Sequence, residues 1–229
     1  MKKRVVILTG AGISAESGIS TFRDAGGLWE GHDIMEVASP QGWKLNPELV
    51  TDFYNKRRIK LSEVEPNAGH LALKHLEDQF ETYIVTQNVD DLHERAGSKN
   101  IMHLHGELIK MRSEAFPDDI YEIGYKEMKF GERCPKGGLL RPHIVWFGEE
   151  VPLINEAAKL VSGCDYLLIV GTSLEVYPAA GLVNEVPPHC MTYLVDPNRH
   201  GGLAGNRLEV IQGTAAKVLP ELVNRLLNA

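Results

Sequence analysis

Cysteine is scarce in this chain: three residues, Cys134, Cys164 and Cys190, at spacings that suggest no pairing. So sparse and odd a set excludes a disulfide-stapled secreted scaffold and fits a reducing compartment. Long apolar runs are missing as well. Lys2-Lys3-Arg4 is followed only by Val5-Val6-Ile7-Leu8 before Thr9-Gly10, too short for an export signal. No stretch approaches the roughly 18 apolar residues that a membrane helix needs. Positive charge is the third shortage, with 24 Lys and Arg against 31 Asp and Glu and a net charge of −7. That balance opposes non-specific nucleic-acid binding, which needs a basic footprint. The expectation is a cytoplasmic protein without nucleic-acid or membrane partners. Internal repeats and low-complexity tracts are also absent.

What is present is enough apolar residue, 43% of 229, to build a real core. Short β-branched runs at 5–8, 83–86, 166–170 and 193–195 read as buried strands, with weaker candidates at 101–104 and 210–211. Helical patterns lie between them, at 66–79, 152–162, 179–185 and 216–227. This alternation predicts an α/β fold with a doubly wound parallel sheet. Two regions break it. Residues 31–65 hold a helical segment and no strand, and residues 107–141 are charged and irregular. Both read as excursions that pack together as a small lobe.

The first strand runs into Gly10-Ala11-Gly12-Ile13-Ser14-Ala15, a G-x-G-x-x-A loop. Glycines there let backbone approach a pyrophosphate at a helix start, although any α/β fold can use such a turn. An ordinary dehydrogenase also wants an acid about 20 residues on, closing a second strand. Asp33 and Glu36 stand near that distance, but 31–40 does not read as a strand. Beyond the loop, Thr21-Phe22-Arg23 sets an aromatic and a cation nearby; Arg23 is either a phosphate partner or a solvated surface charge. His103 and His105 have strand spacing, which leaves a metal pair, core packing and a catalytic base all open.

Five blocks in order resemble the sirtuins, NAD-dependent protein-lysine deacylases. They are Gly10 to Ser14 with Thr21-Phe22-Arg23, Thr86-Gln87-Asn88-Val89-Asp90, His105-Gly106-Glu107, Arg141-Pro142-His143-Ile144-Val145-Trp146-Phe147-Gly148-Glu149, and Gly171-Thr172-Ser173 with Val176-Tyr177-Pro178. The resemblance spans about residues 4–227. It implies a Rossmann-like large domain (1–30, 66–106 and 142–229) and a small lobe formed by two insertions (31–65 and 107–141). It implies that Gly10, Ala11, Gly12, Thr21, Phe22 and Arg23 line the phosphate and nicotinamide side of NAD. Gln87, Asn88 and Asp90 would hold the nicotinamide ribose and carboxamide, and Gly171, Thr172 and Ser173 the adenosine end. Val145, Phe147, Gly148 and Glu149 would form the edge where an acylated-lysine peptide adds as a strand. His105 would be the general base, and the products nicotinamide, free lysine and O-acyl-ADP-ribose.

The chain departs from the family twice. Most sirtuins carry two cysteine pairs between the His105 and Arg141 blocks for a structural zinc. Here that interval has Cys134 alone and no histidine, with Ser113 where a first ligand is sought. No zinc is expected, and Leu108, Ile109, Phe116, Ile120, Tyr121, Ile123, Tyr125 and Phe130 are expected to hold the lobe instead. Leu194 stands where many sirtuins place an asparagine for the adenosine ribose, so contacts there are in doubt.

Asn46-Pro47-Glu48 opens a helix well, as a cap, a first-turn proline and an acid. Val50, Tyr54, Arg57 and Leu61 then share one face. Lys56, Arg58 and Lys60 are read as the solvent face, which leaves Arg57 out of place on the apolar stripe. It either snorkels at the stripe's edge or offers a buried cation to a carboxylate. Tyr54-x-x-Arg57, with Ala38 as a small pocket residue, resembles the sirtuins that remove succinyl and malonyl groups, the desuccinylase and demalonylase (class III) type. The same NAD site is also compatible with mono-ADP-ribosyl transfer or with a non-catalytic acyl-lysine or NAD-metabolite binding module.

Overall fold

The apolar runs form strands because their β-branched side chains pack on both faces of a covered sheet. In the computed structural model, which describes residues 2–20, 28–198 and 207–228, eleven strands occur: β1 (Arg4–Thr9), β2 (Leu28–Trp29), β3 (His32–Asp33), β4 (Glu81–Thr86), β5 (Ile101–His103), β6 (Gly106–Ser113), β7 (Ile120–Glu122), β8 (Leu140–Ile144), β9 (Tyr166–Val170), β10 (Met191–Asp196) and β11 (Leu208–Gln212). Six of them make one parallel sheet in the order β11-β10-β9-β1-β4-β5. Counted along the chain from the β5 edge, that is 3-2-1-4-5-6, the Rossmann order. The chain winds outward from β1 in both directions, so the topological switch lies between β1 and β9.

The period of two along β1 divides the core. Val5 and Ile7 face Leu73, Leu76, Leu219 and Leu222 on one side. Val6 and Leu8 face Val161, Ile169, Leu182 and Leu194 on the other. The covering helices are α5 (Ala68–His75) and α8 (Ala215–Leu227) on the first face and α7 (Ile154–Ser162) with a 3-10 segment (Ala179–Glu185) on the second. The helices between are α1 (Gly12–Ala15), α2 (Ile34–Val37), α3 (Pro40–Leu45), α4 (Pro47–Ser62) and α6 (Leu92–Arg95). None of the described helices is long and apolar enough to cross a membrane.

A second core joins α4 to a small antiparallel sheet, β7-β6-β8. Two sequence expectations change here. Residues 31–65 do contain a strand, the two-residue β3 paired with β2. Residues 107–141 are not irregular throughout. Strand β6 hid because a register shift between Gly106 and Met111 breaks its alternation. Of the residues expected to hold the lobe, Leu108 is buried and Ile109 and Ile123 pack against the core. Phe116, Ile120, Tyr125 and Phe130 lie exposed, and Met128, Ile144 and Trp146 take their place.

Helix α4 begins as its cap residues dictate, with Asn46 Oδ1 accepting from Leu49 N at 3.1 Å and Pro47 in the first turn. The solvent-face reading of Arg58 is wrong: the residue is fully buried. Its Nε–H donates to Leu108 O at 2.7 Å, and Nη1 donates to Asn55 Oδ1 at 2.6 Å and Lys126 O at 3.4 Å. Burial lowers its pKa to about 10, and the carbonyl partners let a cation pin α4 to the small lobe.

Candidate functional site

The site is built where β1 and β9 part. Gly10 and Gly12 are needed because the β9–loop backbone crosses against them: a Cβ on either would lie 2.7 Å from Gly171 atoms. Gly171 itself has φ +59, with Ile13 N at 2.4 Å from any added Cβ. Gly10 N–H donates to Val170 O and Gly12 N–H to Gly171 O, and α1 is a single turn. The glycines therefore lock the loops after β1 and β9 together. Thr21, Phe22 and Arg23 lie outside the described residues.

Beyond β4, the Gln87-Asn88-Val89-Asp90 segment reaches the same point. Gln87 Nε2 donates to Thr172 Oγ1 at 3.0 Å, joining the second and fifth blocks. Asn88 Nδ2 donates to Ser14 Oγ at 3.1 Å, and Ser14 O–H donates to Asp90 Oδ2 at 2.9 Å. Asn88 and Asp90 are buried, and burial raises the Asp90 pKa against the pull of Ser14. Ser173 is half-buried beside Thr172. Leu194 points into the core, fully buried, so it offers no ribose contact.

His103 and His105 both anchor on this segment. His103 Nδ1 bonds Asn88 O at 2.9 Å and its Nε2 bonds Glu94 Oε1 at 2.8 Å. Burial lowers the His103 pKa, but Glu94 outweighs it and the net shift is upward. Both ring nitrogens are spent, so the metal-pair alternative fails. His105 Nδ1–H donates to Gln87 O at 3.0 Å, and no described residue bonds its Nε2. That tautomer leaves a lone pair at Nε2. Burial depresses its pKa, opposed by the Gln87 bond. Gly106 follows with φ +82, and a Cβ there would lie 2.0 Å from His143 O.

The turn at 145–149 ties His105 to Ala38. Val145 N–H donates to His105 O at 2.9 Å and Phe147 N–H to Ala38 O at 3.0 Å. Gly148 is exposed at φ +90. Glu149 is not offered outward: it accepts from Arg141 at 2.7 and 3.0 Å, Arg112 at 3.3 Å and Trp146 N at 2.8 Å. Burial would raise its pKa, yet Arg141 and its companions carry it below the usual value. Tyr54 is fully buried, as the stripe predicts. Arg57 keeps 10% of its side chain exposed, stacks 4.3 Å from the Trp29 ring centre and pairs with Glu30 Oε1 at 3.3 Å. Its Nε is buried without a hydrogen-bond partner.

Several residues of this region carried no expectation. Thr9 O–H donates to Thr86 Oγ1 at 2.8 Å, so His93 Nε2–H donates to Thr9 at 3.1 Å beneath the glycine loop. His70 stacks edge-on against His93, with centroids 5.0 Å apart, and both are fully buried. Neither histidine carries a pattern in the sequence that signals this contact. Burial lowers His70 to about 4 and His93 well below its ordinary value. An unfolded histidine titrates near 6.5, so the unfolded chain takes the proton first. Stability from His70 is complete above about pH 6.5 and lost as pH falls toward 4, roughly 2 kcal/mol gone by pH 5. Thermal melts at pH 7.5 and 5.0 should show this, and His70→Gln should flatten the dependence. An equally steep fall in His70→Gln would clear His70 of the effect.

The donor set of the small lobe does not suit zinc. Cys134 Sγ donates to Ser113 Oγ at 3.6 Å, one thiol beside one alcohol. The other two cysteines lie in the sheet core with sulfurs 3.4 Å apart, a proximity that their spacing of 26 residues concealed. Among the described residues no cluster of three or more His, Cys, Asp or Glu could hold a metal ion. Purified protein is expected to hold well under one zinc per chain, and a strong chelator to leave its Tm unmoved. Stoichiometric zinc by elemental analysis would overturn this.

A doubly wound sheet with buried polar groups gathered at its switch point defines an α/β dinucleotide-binding protein. The Sir2 family model matches residues 10–178, and the chain belongs to the Sir2 family. An NAD-dependent protein deacylase of Helicobacter pylori (strain J99) is 53% identical over 225 residues, covering 98% of this chain and 96% of the relative. An NAD-dependent protein deacylase of Bacteroides thetaiotaomicron is 48% identical over 232 residues, covering 99% of each. A solved complex of a Sir2 homologue with NAD superposes with a TM-score of 0.88 at 38% identity, covering 99% of this chain and 90% of that one.

Proposed function

We propose that this Sir2-family chain is an NAD-dependent protein-lysine deacylase whose pocket takes succinyl and malonyl groups, with acetyl as a further substrate. The observation that carries the acyl preference is Arg57. It is a nine-tenths buried guanidinium on the Tyr54 face of α4, with an unpartnered Nε. Its carboxylate partner, Glu30 at 3.3 Å, is largely solvent-exposed and leaves Nε unpaired, so the buried cation favours substrates that bring a carboxylate of their own. Ala38, buried at the joint with Phe147, is the small side chain that this reading assigns to the same pocket.

The residues at the switch point suit NAD: locked glycines, a dry Asn88–Ser14–Asp90 chain and the Gln87–Thr172 bridge. In this reading Gly10, Ala11, Gly12, Gln87, Asn88, Asp90, Gly171, Thr172 and Ser173 hold it, together with Thr21, Phe22 and Arg23. When bound, NAD would supply the ribose carbon that nicotinamide leaves and that the acyl oxygen attacks. His105 Nε2 takes the proton of a ribose hydroxyl, with Nδ1–H held by Gln87 O so that the lone pair stays on Nε2. The turn bearing Val145, Phe147, Gly148 and Glu149 receives the acyl-lysine peptide, stiffened by the two arginines on Glu149. The large domain of 1–30, 66–106 and 142–229 carries the nucleotide, and the lobe of 31–65 and 107–141 the acyl chain.

The test is one panel of acetyl, malonyl, succinyl and glutaryl peptides with NAD, read by nicotinamide release. Faster release with succinyl or malonyl than with acetyl is expected. Release with acetyl alone would overturn the acyl preference and leave the deacylase.

A further inference from the structure

We propose that Trp146 fixes the direction of the Tyr54 hydroxyl and thereby selects acyl groups that end in a hydrogen-bond acceptor. This inference rests on the acidic-acyl reading of the pocket. Trp146 Nε1–H donates to the Tyr54 hydroxyl at 3.0 Å, with both side chains buried. Indole is a donor only, so the phenol oxygen is the acceptor of this pair. A phenol carries a single proton, and no described residue accepts the one on Tyr54. With the indole occupying one side of the oxygen, that proton points away from Trp146. Arg57, one turn along the same face of α4, lies close enough to bear on Tyr54 electrostatically. Burial pushes the Tyr54 pKa up, so the proton stays on. The hydroxyl is thus a committed donor beside a guanidinium, a pairing that fits a carboxylate and offers nothing to a methyl group.

The indole is itself packed between neighbours. The Arg141 guanidinium lies 3.4 Å from its ring centre, and Trp43 packs 5.7 Å away. The Trp146 backbone N–H donates to Glu149 Oε2 at 2.8 Å, which fixes the main chain beneath it. The donor direction is therefore set before a substrate arrives, and binding does not have to order it. A tyrosine free to rotate would satisfy a donor or an acceptor equally. Trp146 removes the first option, which makes it a positioning residue rather than a catalytic one.

Trp146→Phe keeps an aromatic ring and removes the N–H. The expected result is a fall of about 3- to 10-fold in kcat/KM for succinyl peptide, the range of one net hydrogen bond. The succinyl-to-acetyl ratio should fall, because an acetyl group brings no acceptor for the oriented hydroxyl to meet. A purely structural role would move both together. In the Tyr54→Phe background the same substitution should leave the ratio unchanged, because no phenol remains to orient. Should Trp146→Phe fold poorly, benzothienylalanine inserted at 146 matches indole in shape and lacks only the N–H; its expected ratio change is the same. Equal losses for both peptides, or an additive effect in the Tyr54→Phe background, would overturn the role of Trp146. A ratio moved by Arg57→Met and not by Trp146→Phe would sink this inference alone. A ratio unmoved by either would take the acidic-acyl reading down with it.

Discussion

Replacing His105 with alanine is expected to lower deacylation about 10²–10⁴-fold, the usual cost of losing a positioned general base, with NAD binding little changed. The contrast follows from what each part of the ring does. Nδ1–H is tied to Gln87 O at 3.0 Å, while Nε2 meets no described residue. His105→Asn separates the two roles, since an amide N–H can still reach Gln87 O but brings no base. It should be as inactive as His105→Ala. The pH dependence offers a second check. Burial holds the imidazole below its ordinary value, and the neutral ring is the active form. The acid limb of kcat/KM should therefore lie below the range of an ordinary imidazole, leaving a competent base at neutrality. An active His105→Asn enzyme would remove His105 from proton transfer and leave it as a brace for the Gln87 loop.

The sheet was legible because its strands are written as continuous β-branched runs. The runs at 5–8, 83–86, 166–170 and 193–195 all lie in the observed strands, and even the weak candidates at 101–104 and 210–211 overlap β5 and β11. In the small lobe the cap and apolar stripe of α4 were legible, but its sheet and its buried charge were not, for two physical reasons. The register shift in β6 scrambles the period of two on which strand reading depends. Polar residues can also be buried when distant backbone receives them. Arg58 looks like solvent face in sequence, yet its partners are the carbonyls of Leu108 and Lys126, 50 and 68 residues away. Glu149 is the converse case. Its block marks it as a substrate contact, but only tertiary structure brings Arg112 and Arg141 onto its carboxylate. The buried His70–His93 contact and the Cys164–Cys190 contact share that cause. Pattern reading recovers what is periodic along the chain; pairs made across it have no periodicity to read.

Arg57→Met is expected to lower succinyl turnover about 10- to 150-fold while leaving acetyl turnover unchanged or improved. A charge-assisted bond to the acyl carboxylate is worth about 1.5–3 kcal/mol, and about 1.4 kcal/mol is tenfold. Methionine keeps much of the stem that packs on Trp29 and Phe53 and removes only the charged head. The carboxylate now on the guanidinium is Glu30, at 3.3 Å, with 42% of its side chain exposed. So exposed a partner gives up a weak, solvent-screened contact when it swings away. In the proposed reading, an acyl carboxylate would meet the buried Nε that Glu30 leaves unpaired. Glu30→Gln should therefore hold or raise the succinyl-to-acetyl ratio, in the direction opposite to Arg57→Met. Tyr54→Phe should act in the same direction as Arg57→Met but less, since it removes one neutral hydroxyl. An acetyl group brings no carboxylate, so with it the buried cation relies on Glu30 alone. Each comparison is a ratio within one preparation, which partial misfolding cannot imitate. Equal losses of succinyl and acetyl activity in Arg57→Met would return Arg57 to a structural role, stacked on Trp29 and tied to Glu30.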